Sequence, residues 1–418
     1  MWARYLLFRS KSADHRLCGA FAAVVAANHC TKTSPIIATS AESQKKQQNY
    51  ENNANCHSYG CVLLPRDVFY DVRSHEALTQ LRSPSSDLKV QAKARRELSG
   101  SGNDDMATLT LIGSKGDAGG DVNQDRAFCI SPFMKKDNWR LLGVFDGHAR
   151  NGHFVSEHTL QQFPKRLAEN LQKKLDPTAS DETRSRQTCQ CLEDTFLEVN
   201  LTAPGGGGCT ASVILQCDHQ LFVANAGDSR SFVSIYDSST NQTHVVSISR
   251  EDKPDLPDEQ ARIEKMGGKV YQPMYGGVPR VMYFDSTTGS NSGLAMSRAI
   301  GDHDATGVIA NPILQVLDLN ELVESRKFSD TEDGVHIFAV SASDGMMDYI
   351  TPDVVAEVVG QALFRKNKHD NKDHPLTACE RLIGLAAELW DRERHGRYRD
   401  DIAIAVSKIR TPPSRDVE

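Results

Sequence analysis

The chain has 418 residues, 39% hydrophobic and 25% charged, a balance that fits a soluble globular protein larger than one average domain. Its formal net charge of −7 gives no support to nucleic-acid binding, and no apolar run approaches the ~20 residues that span a bilayer. Ten cysteines lack zinc-like or disulfide-like spacing, the closest pair being Cys189 and Cys191, which favours a reducing compartment.

In chain order, residues 1–34 carry Arg4, Arg9, Lys11 and Arg16 against the single acid Asp14, ahead of an apolar stretch from Leu17 to Ala27. Three readings stay open: an Arg-rich organellar presequence (mitochondrial or other), a signal peptide, or an uncleaved start of a cytoplasmic protein. The cysteine usage favours an intracellular one. Residues 35–105 are rich in Ser, Gln, Asn and Lys, as in Ser43–Asn49, and bury too little apolar surface to offset ordering entropy. They are expected to be a disordered linker with one short helix near Leu88–Glu97.

A folded domain is expected over 106–410, followed by a tail at 411–418. Thr108–Ile112, Ala127–Ile130, Trp139–Phe145, Ala211–Gln216, Leu221–Ala226, Ser231–Ile235, His244–Ile248, Val335–Ala342 and Ile402–Val406 read as short strands bounded by turn residues. Cys217-Asp218-His219-Gln220 reads as a hairpin turn. Several strands, such as Leu141–Phe145, are apolar on both faces and predict a sheet covered on both sides. Helical periodicity marks Phe154–Leu175, Thr183–Val199, Pro257–Met266, Thr351–Phe364 and Leu376–Trp390. Thr351-Pro352-Asp353 has the hydroxyl, proline and acid of a helix start. Strands come in runs and helices in pairs, so the fold class is α+β, with packed antiparallel sheets and helices outside.

Four aspartate signatures stand out: Asn123-Gln124-Asp125, Asp146-Gly147-His148, Asp344-Gly345 and Asp400-Asp401-Ile402. Asp146 and Asp344 end buried strands, while Asp125 and Asp400 precede them. A lone Asp-Gly is an ordinary turn. Several carboxylates meeting at strand ends repel one another unless a hard divalent cation neutralises them, which points to Mg²⁺ or Mn²⁺ and to phosphate-ester hydrolysis.

These motifs resemble the metal-dependent protein phosphatases of type 2C, over about residues 107–408. The series runs Asn123-Gln124-Asp125, Val144–His148, Gly208–Ala211, Ala224–Arg230, Asp252-Lys253-Pro254, Glu259, Arg262-Ile263, Gly267-Gly268, Ser297–Asp302, Ser343–Asp348 and Asp400-Asp401-Ile402, in the family's order. The resemblance implies a four-layer αββα sandwich that hydrolyses phosphoserine and phosphothreonine through a hydroxide bridging two Mg²⁺ or Mn²⁺ ions. It implies that Asp146 bridges the ions and that the Gly147 carbonyl contacts one. Asp344 and Asp400 would ligate the other, Asp125 would reach the pair directly or through water, and His148 would be the general acid. Asp228 and Asp348 would hold a weaker third ion beside Asp344, the alternative for Asp228 being a structural salt bridge with Arg230. A flap around 252–300 borders the site, and the polar tract Asp285–Ser292 within it is expected to be a mobile loop. The implied partner is a phosphorylated protein, with the enzyme a monomer.

The chain departs from the family pattern in places. Gln124 replaces an acid, Ala149 replaces a glycine, Asp401 replaces an asparagine, and Gly120 stands where a basic phosphate clamp is usual. Lys115 is the substitute clamp candidate. The missing clamp leaves a second function open, a catalytically silent phosphatase-fold regulatory protein. Gly205–Gly208 reads as flexibility before a strand rather than a phosphate cradle.

Overall fold

The alternation of side chains along each strand decides the architecture. In Arg126–Ser131, Phe128 and Ile130 join one apolar cluster while Ala127 and Cys129 join another. In Ile402–Ile409, Ile402, Ile404 and Val406 point one way and Ala403 and Ala405 the other. Strands buried on both faces must be sandwiched between two apolar layers. A computed structural model describes residues 105–115, 122–324, 334–365 and 375–410 and the backbone of 61–63 and 67–68, all within one unit, Asn55–Glu418.

The first sheet has the order Cys61–Leu63, Arg126–Ser131, Trp139–Phe145, Ala211–Cys217, Gln220–Ala226, Ile313–Asp318. The second runs Gln242–Ile248, Arg230–Asp237, Val335–Ala342, Ile402–Ile409, Met106–Leu111, Asp67–Val68. Pairing is antiparallel except at Asp67–Val68, which runs parallel to Thr110 and Leu111. Leu142, Val144, Ile214, Val233, Ile235, Ala339 and Ala403 fill the space between the sheets. Helices Gly152–Lys174 and Asp181–Thr202 cover the first sheet, with Phe163 edge-on to Phe196 at 5.1 Å above Phe145 and Phe222. Helices Pro352–Phe364 and Pro375–Arg394 cover the second through Val355, Val359, Leu382 and Ala386. The result is the α+β sandwich of four layers, αββα.

Most differences from the sequence reading lie at edges. Cys61–Leu63 and Asp67–Val68 fall inside the expected linker yet add an edge strand to each sheet. The rest of 35–104, with the Leu88–Glu97 helix, lies outside the described residues, as do 1–34 and 411–418. Ile313–Asp318 was not foreseen. It is a half-buried edge strand whose side chains show no clean alternation. The Asp285–Ser292 tract forms a hairpin turn, in which Asp285 Oδ1 accepts from the Thr287 and Thr288 amides and Gly289 adopts φ 67°. It closes a small sheet of Lys269–Tyr271, Arg280–Asp285 and Ser290–Leu294. Thr351 makes no side-chain cap hydrogen bond, so Pro352 and Asp353 alone mark that helix start.

Candidate active site

Sheet register brings the aspartate motifs to one end of the sandwich. Arg126 pairs with Phe145, so Asp125 and Asp146 leave their strands side by side. Arg230 pairs with Ala342, and Ala342 with Ile404, which carries the Asp228, Asp344 and Asp400-Asp401 turns to the same end. Ile402 pairs with Leu111, bringing Gly113 and Lys115 beside them. Gly345 lets the chain pass there, because a Cβ would collide with the Asp401 carbonyl oxygen. Trp390 Nε1 fixes that turn by donating to the Gly345 carbonyl at 2.6 Å.

Asp125 is fully buried, and among the described residues neither of its carboxylate oxygens has a hydrogen-bond donor. Burial pushes its pKa up to about 7. The Asp401 and Asp400 charges add to the rise, and the nearby Ser343 hydroxyl and Lys115 offset part of it. Burial likewise raises Asp146 well above the usual carboxylate range, helped by Asp125, Asp344, Asp400 and Asp228. Asp344 rises for the same reason, with Asp228, Asp400 and Asp348 as its neighbours. Asp348 is also raised, first by burial. The sequence-predicted acids therefore meet in one electrostatic neighbourhood. They are not closed around a point: among the described residues, no three Asp, Glu, His or Cys side chains are gathered tightly enough to hold an ion as they stand. Uncompensated carboxylates repel, and two ammonium groups divide them. Lys115 Nζ sits 2.9 Å from Asp400 and 3.1 Å from Asp401, and Lys253 Nζ sits 2.7 Å from Asp228.

Several expectations change here. Asp228 pairs with Lys253 and Arg230 with Glu251 at 3.0 Å, so the Asp228–Arg230 bridge is absent. Lys115 gives its charge to carboxylates. Gln124 does not face the acids with its side chain; its Nε2 donates to the Ala149 carbonyl at 2.9 Å, and its backbone N–H donates to Asp401 Oδ2 at 3.1 Å. Asp401 also accepts from the Gly113 amide at 2.6 Å, which makes this departure from the family a structural hub. Gly205–Gly207 brackets the loop, since Asn151 N–H donates to the Gly206 carbonyl and Asp302 N–H to that of Gly207.

His148 belongs to a miniature sheet of Gly147–His148, Gly208–Cys209 and Ile300–Gly301. That sheet places Asp302 against the imidazole, with Nε2 to Oδ2 at 2.6 Å. Gly208 is required between them, because a Cβ would overlap the Asp302 carboxylate. Burial opposes the imidazolium, but the Asp302 charge and hydrogen bond prevail and raise the His148 pKa above 6.5. Nδ1 is buried without a partner among the described residues. Sequence reasoning quoted Ser297–Asp302 as a motif but gave Asp302 no role. The only signal was an acid beside a glycine, and the pairing depends on a two-residue strand. Thr210 was also missed as a support: it donates N–H to the Asp146 carbonyl at 2.8 Å and accepts the Asp146 N–H on Oγ1 at 3.1 Å.

Within the flap segment, Glu259 accepts from Arg298 Nη2 at 2.6 Å, Arg250 Nη2 at 2.8 Å, Ser297 Oγ at 2.6 Å and Arg262 Nη2 at 2.5 Å. This explains why Glu259, Arg262 and Arg298 recur in the motif series as a structural knot.

The sequence profile of the family described as Protein phosphatase 2C matches residues 113–389, well over half of the chain. Among curated proteins, Probable protein phosphatase 2C 41 of Arabidopsis thaliana is 29% identical over 308 residues, covering 71% of this chain and 80% of that one. Probable protein phosphatase 2C 61 of the same plant is 31% identical over 303 residues, covering 72% and 83%. The crystal structure of serine-threonine phosphatase 2C from Toxoplasma gondii superimposes with a TM-score of 0.56 at 18% identity, over 73% of this chain and 94% of that one, a likeness of fold. With the motifs in order, the sandwich formed and the acids at one end, the chain belongs to the protein phosphatase 2C family and is an enzyme of the protein-serine/threonine phosphatase class.

Proposed function

We propose that this chain hydrolyses phosphoserine and phosphothreonine in proteins by a mechanism that uses two Mg²⁺ or Mn²⁺ ions, and a third held more weakly. The observation that carries the reading is Asp125, a buried carboxylate with no donor on either oxygen among the described residues, set among Asp146, Asp344 and Asp400. Carboxylates, a backbone carbonyl and water are the donor set that hard divalent cations accept. Asp146, Asp125, Asp344, Asp400 and the Gly147 carbonyl would hold the pair, with Asp228 and Asp348 beside Asp344 for the third. When bound, such ions acidify water and offset charge on phosphoryl oxygens.

The remaining chemistry belongs to side chains of this chain. A serine or threonine alkoxide is a poor leaving group, so a positioned proton donor contributes about 10²–10⁴-fold. His148 fits that role. Asp302 engages Nε2 and favours the imidazolium, the form that can give a proton to the leaving oxygen. Lys115, which pairs with both Asp400 and Asp401, is the basic side chain beside the acids that would meet a phosphoryl oxygen in place of a clamp at Gly120.

The test is turnover of a phosphoserine peptide and an aryl phosphate with Mn²⁺, comparing wild type with Asp146→Ala. We expect wild-type hydrolysis of both and at least 10²-fold loss in the variant, with weaker Mn²⁺ binding by calorimetry. A correctly folded wild type without turnover would remove the enzymatic reading, and wild-type rates in the variant would remove the ligand assignment. Every carboxylate of the set is present, so nothing favours the catalytically silent alternative.

A further inference from the structure

Two of the positions where this chain departs from its family touch each other. Gln124 Nε2 holds the carbonyl of Ala149, and Ala149 adopts a left-handed conformation at φ 62° where a glycine is usual. On the next residue but one, Asn151 donates its N–H to the Gly206 carbonyl at 3.0 Å and its Nδ2 to the Gly205 carbonyl at 2.9 Å. Arg150 lies between these anchors. Its backbone is fixed on both sides while its side chain is exposed.

The charge state of the neighbourhood makes that exposure informative. An arginine beside a cluster of carboxylates ordinarily folds onto one of them. Lys115 and Lys253 do so, on Asp400 with Asp401 and on Asp228. Arg150, two residues from His148, makes no hydrogen bond or ion pair with any described residue. The turn at Ala149 fixes the backbone beside His148, and no described residue engages the exposed guanidinium, so it can meet an incoming chain. Because its backbone is already ordered, docking of a partner costs the freedom of the side chain alone.

Resting on the phosphatase reading, we infer that Arg150 is a specificity-determining residue that recognises an acidic side chain flanking the phosphorylated residue of the substrate. Residues two apart in sequence lie at most about 7 Å apart at Cα. An extended peptide advances about 3.3 Å per residue. A phosphoserine at His148 therefore brings residues within about three positions of it to Arg150. A guanidinium presents a planar fork that matches a carboxylate in two parallel hydrogen bonds. The same fork also fits phosphoryl oxygens, and the experiment separates the two sources of negative charge.

The experiment uses the full chain with Mn²⁺ and phosphoserine peptides that differ only in carrying Glu, Gln or Lys at the three positions on either side. Wild type is expected to favour the Glu peptide over the Gln peptide by about 5–10-fold in kcat/KM, mainly through KM, and to lose most of that preference between 50 and 500 mM salt as the pair is screened. Arg150→Gln should bring the ratio to about one, Arg150→Lys should restore part of it, and Arg150→Glu should favour the Lys peptide. A Glu preference that survives Arg150→Gln, or no preference in wild type, overturns the inference. So does an equal loss on a small aryl phosphate, which would place Arg150 on the phosphoryl group instead. Equilibrium binding of fluorescent versions of the same peptides gives the same ratios without turnover. Failure of hydrolysis with the binding preference intact would count against the phosphatase reading alone.

Discussion

Replacing Asp125 with asparagine should stabilise the metal-free protein while weakening its hold on cations. The carboxyl is buried, has no donor on either oxygen among the described residues, and has its pKa pushed up by burial to about 7 against an ordinary value of 3.8. Between those two values the folded state binds more protons than the unfolded state. Stability from this group is therefore intact at low pH, falls as pH rises through about 4 to 7, and levels off above that. A shift of about three units corresponds to roughly 4 kcal/mol of destabilisation at pH 8. The asparagine removes that loss but buries an amide whose partners are incomplete, at about 1–3 kcal/mol. A net gain of about 1–3 kcal/mol remains, or roughly 2–8 °C in Tm for a domain of this size. Thermal unfolding of both proteins in chelator, from pH 4 to pH 8, measures it: the variant should be the less stable of the two near pH 4, where the amide cost stands alone, and the more stable at pH 8. Added Mn²⁺ should then stabilise wild type more than the variant, since a cation that binds only the folded state adds stability in proportion to its affinity. A metal-free Asp125→Asn protein no more stable than wild type at pH 8, or one that gains as much from Mn²⁺, would refute the reasoning.

Two further outcomes follow from the same electrostatics. Burial raises the Glu259 pKa, but hydrogen bonds from Arg298, Ser297 and Arg262 outweigh it and hold the group at about 2. Its contribution is present above the ordinary value of 4.5 and lost as pH falls from there toward 2. Glu259→Gln should therefore cost about 3–5 kcal/mol in urea unfolding at pH 7 and much less near pH 3, a gap that fails to narrow being the contrary result. Asp302→Asn removes the charge that keeps His148 protonated, so the alkaline limb of kcat should move to lower pH. The loss should be greater on a phosphoserine peptide than on an aryl phosphate with a good leaving group, and equal losses would assign Asp302 a purely structural role.

The sandwich was legible because burial on both strand faces leaves a two-letter code, as in Ile402-Ala403-Ile404-Ala405, that few other arrangements satisfy. The site acids were legible for a related reason: Asp146 and Asp344 end those strands, so the fold that buries the strand also delivers the carboxylate. What escaped depends on contacts between residues far apart in the chain. His148 with Asp302, Lys115 with Asp401 and Glu259 with Arg298 are pairings across more than thirty residues each, set by register rather than by local pattern. Ile313–Asp318 escaped for the opposite reason: an edge strand half open to water has no strict alternation to reveal it.

The departures from the family pattern are better understood together than singly. Replacing asparagine by Asp401 adds a negative charge beside Asp400, in a place already crowded with acids. Lys115 answers it by spanning both carboxylates, and the Gly113 and Gln124 amides take the remaining lone pairs. Gln124, with no charge of its own, removes one acid from the crowd and turns its amide to the Ala149 carbonyl, steadying a left-handed alanine. One substitution adds a carboxylate and the other is an uncharged amide, and the added carboxylate is taken up by Lys115 and two backbone amides. Gly120 in place of a basic residue then leaves the task of meeting substrate charge to the basic side chains nearby: Lys115, paired with Asp400 and Asp401, and the exposed Arg150.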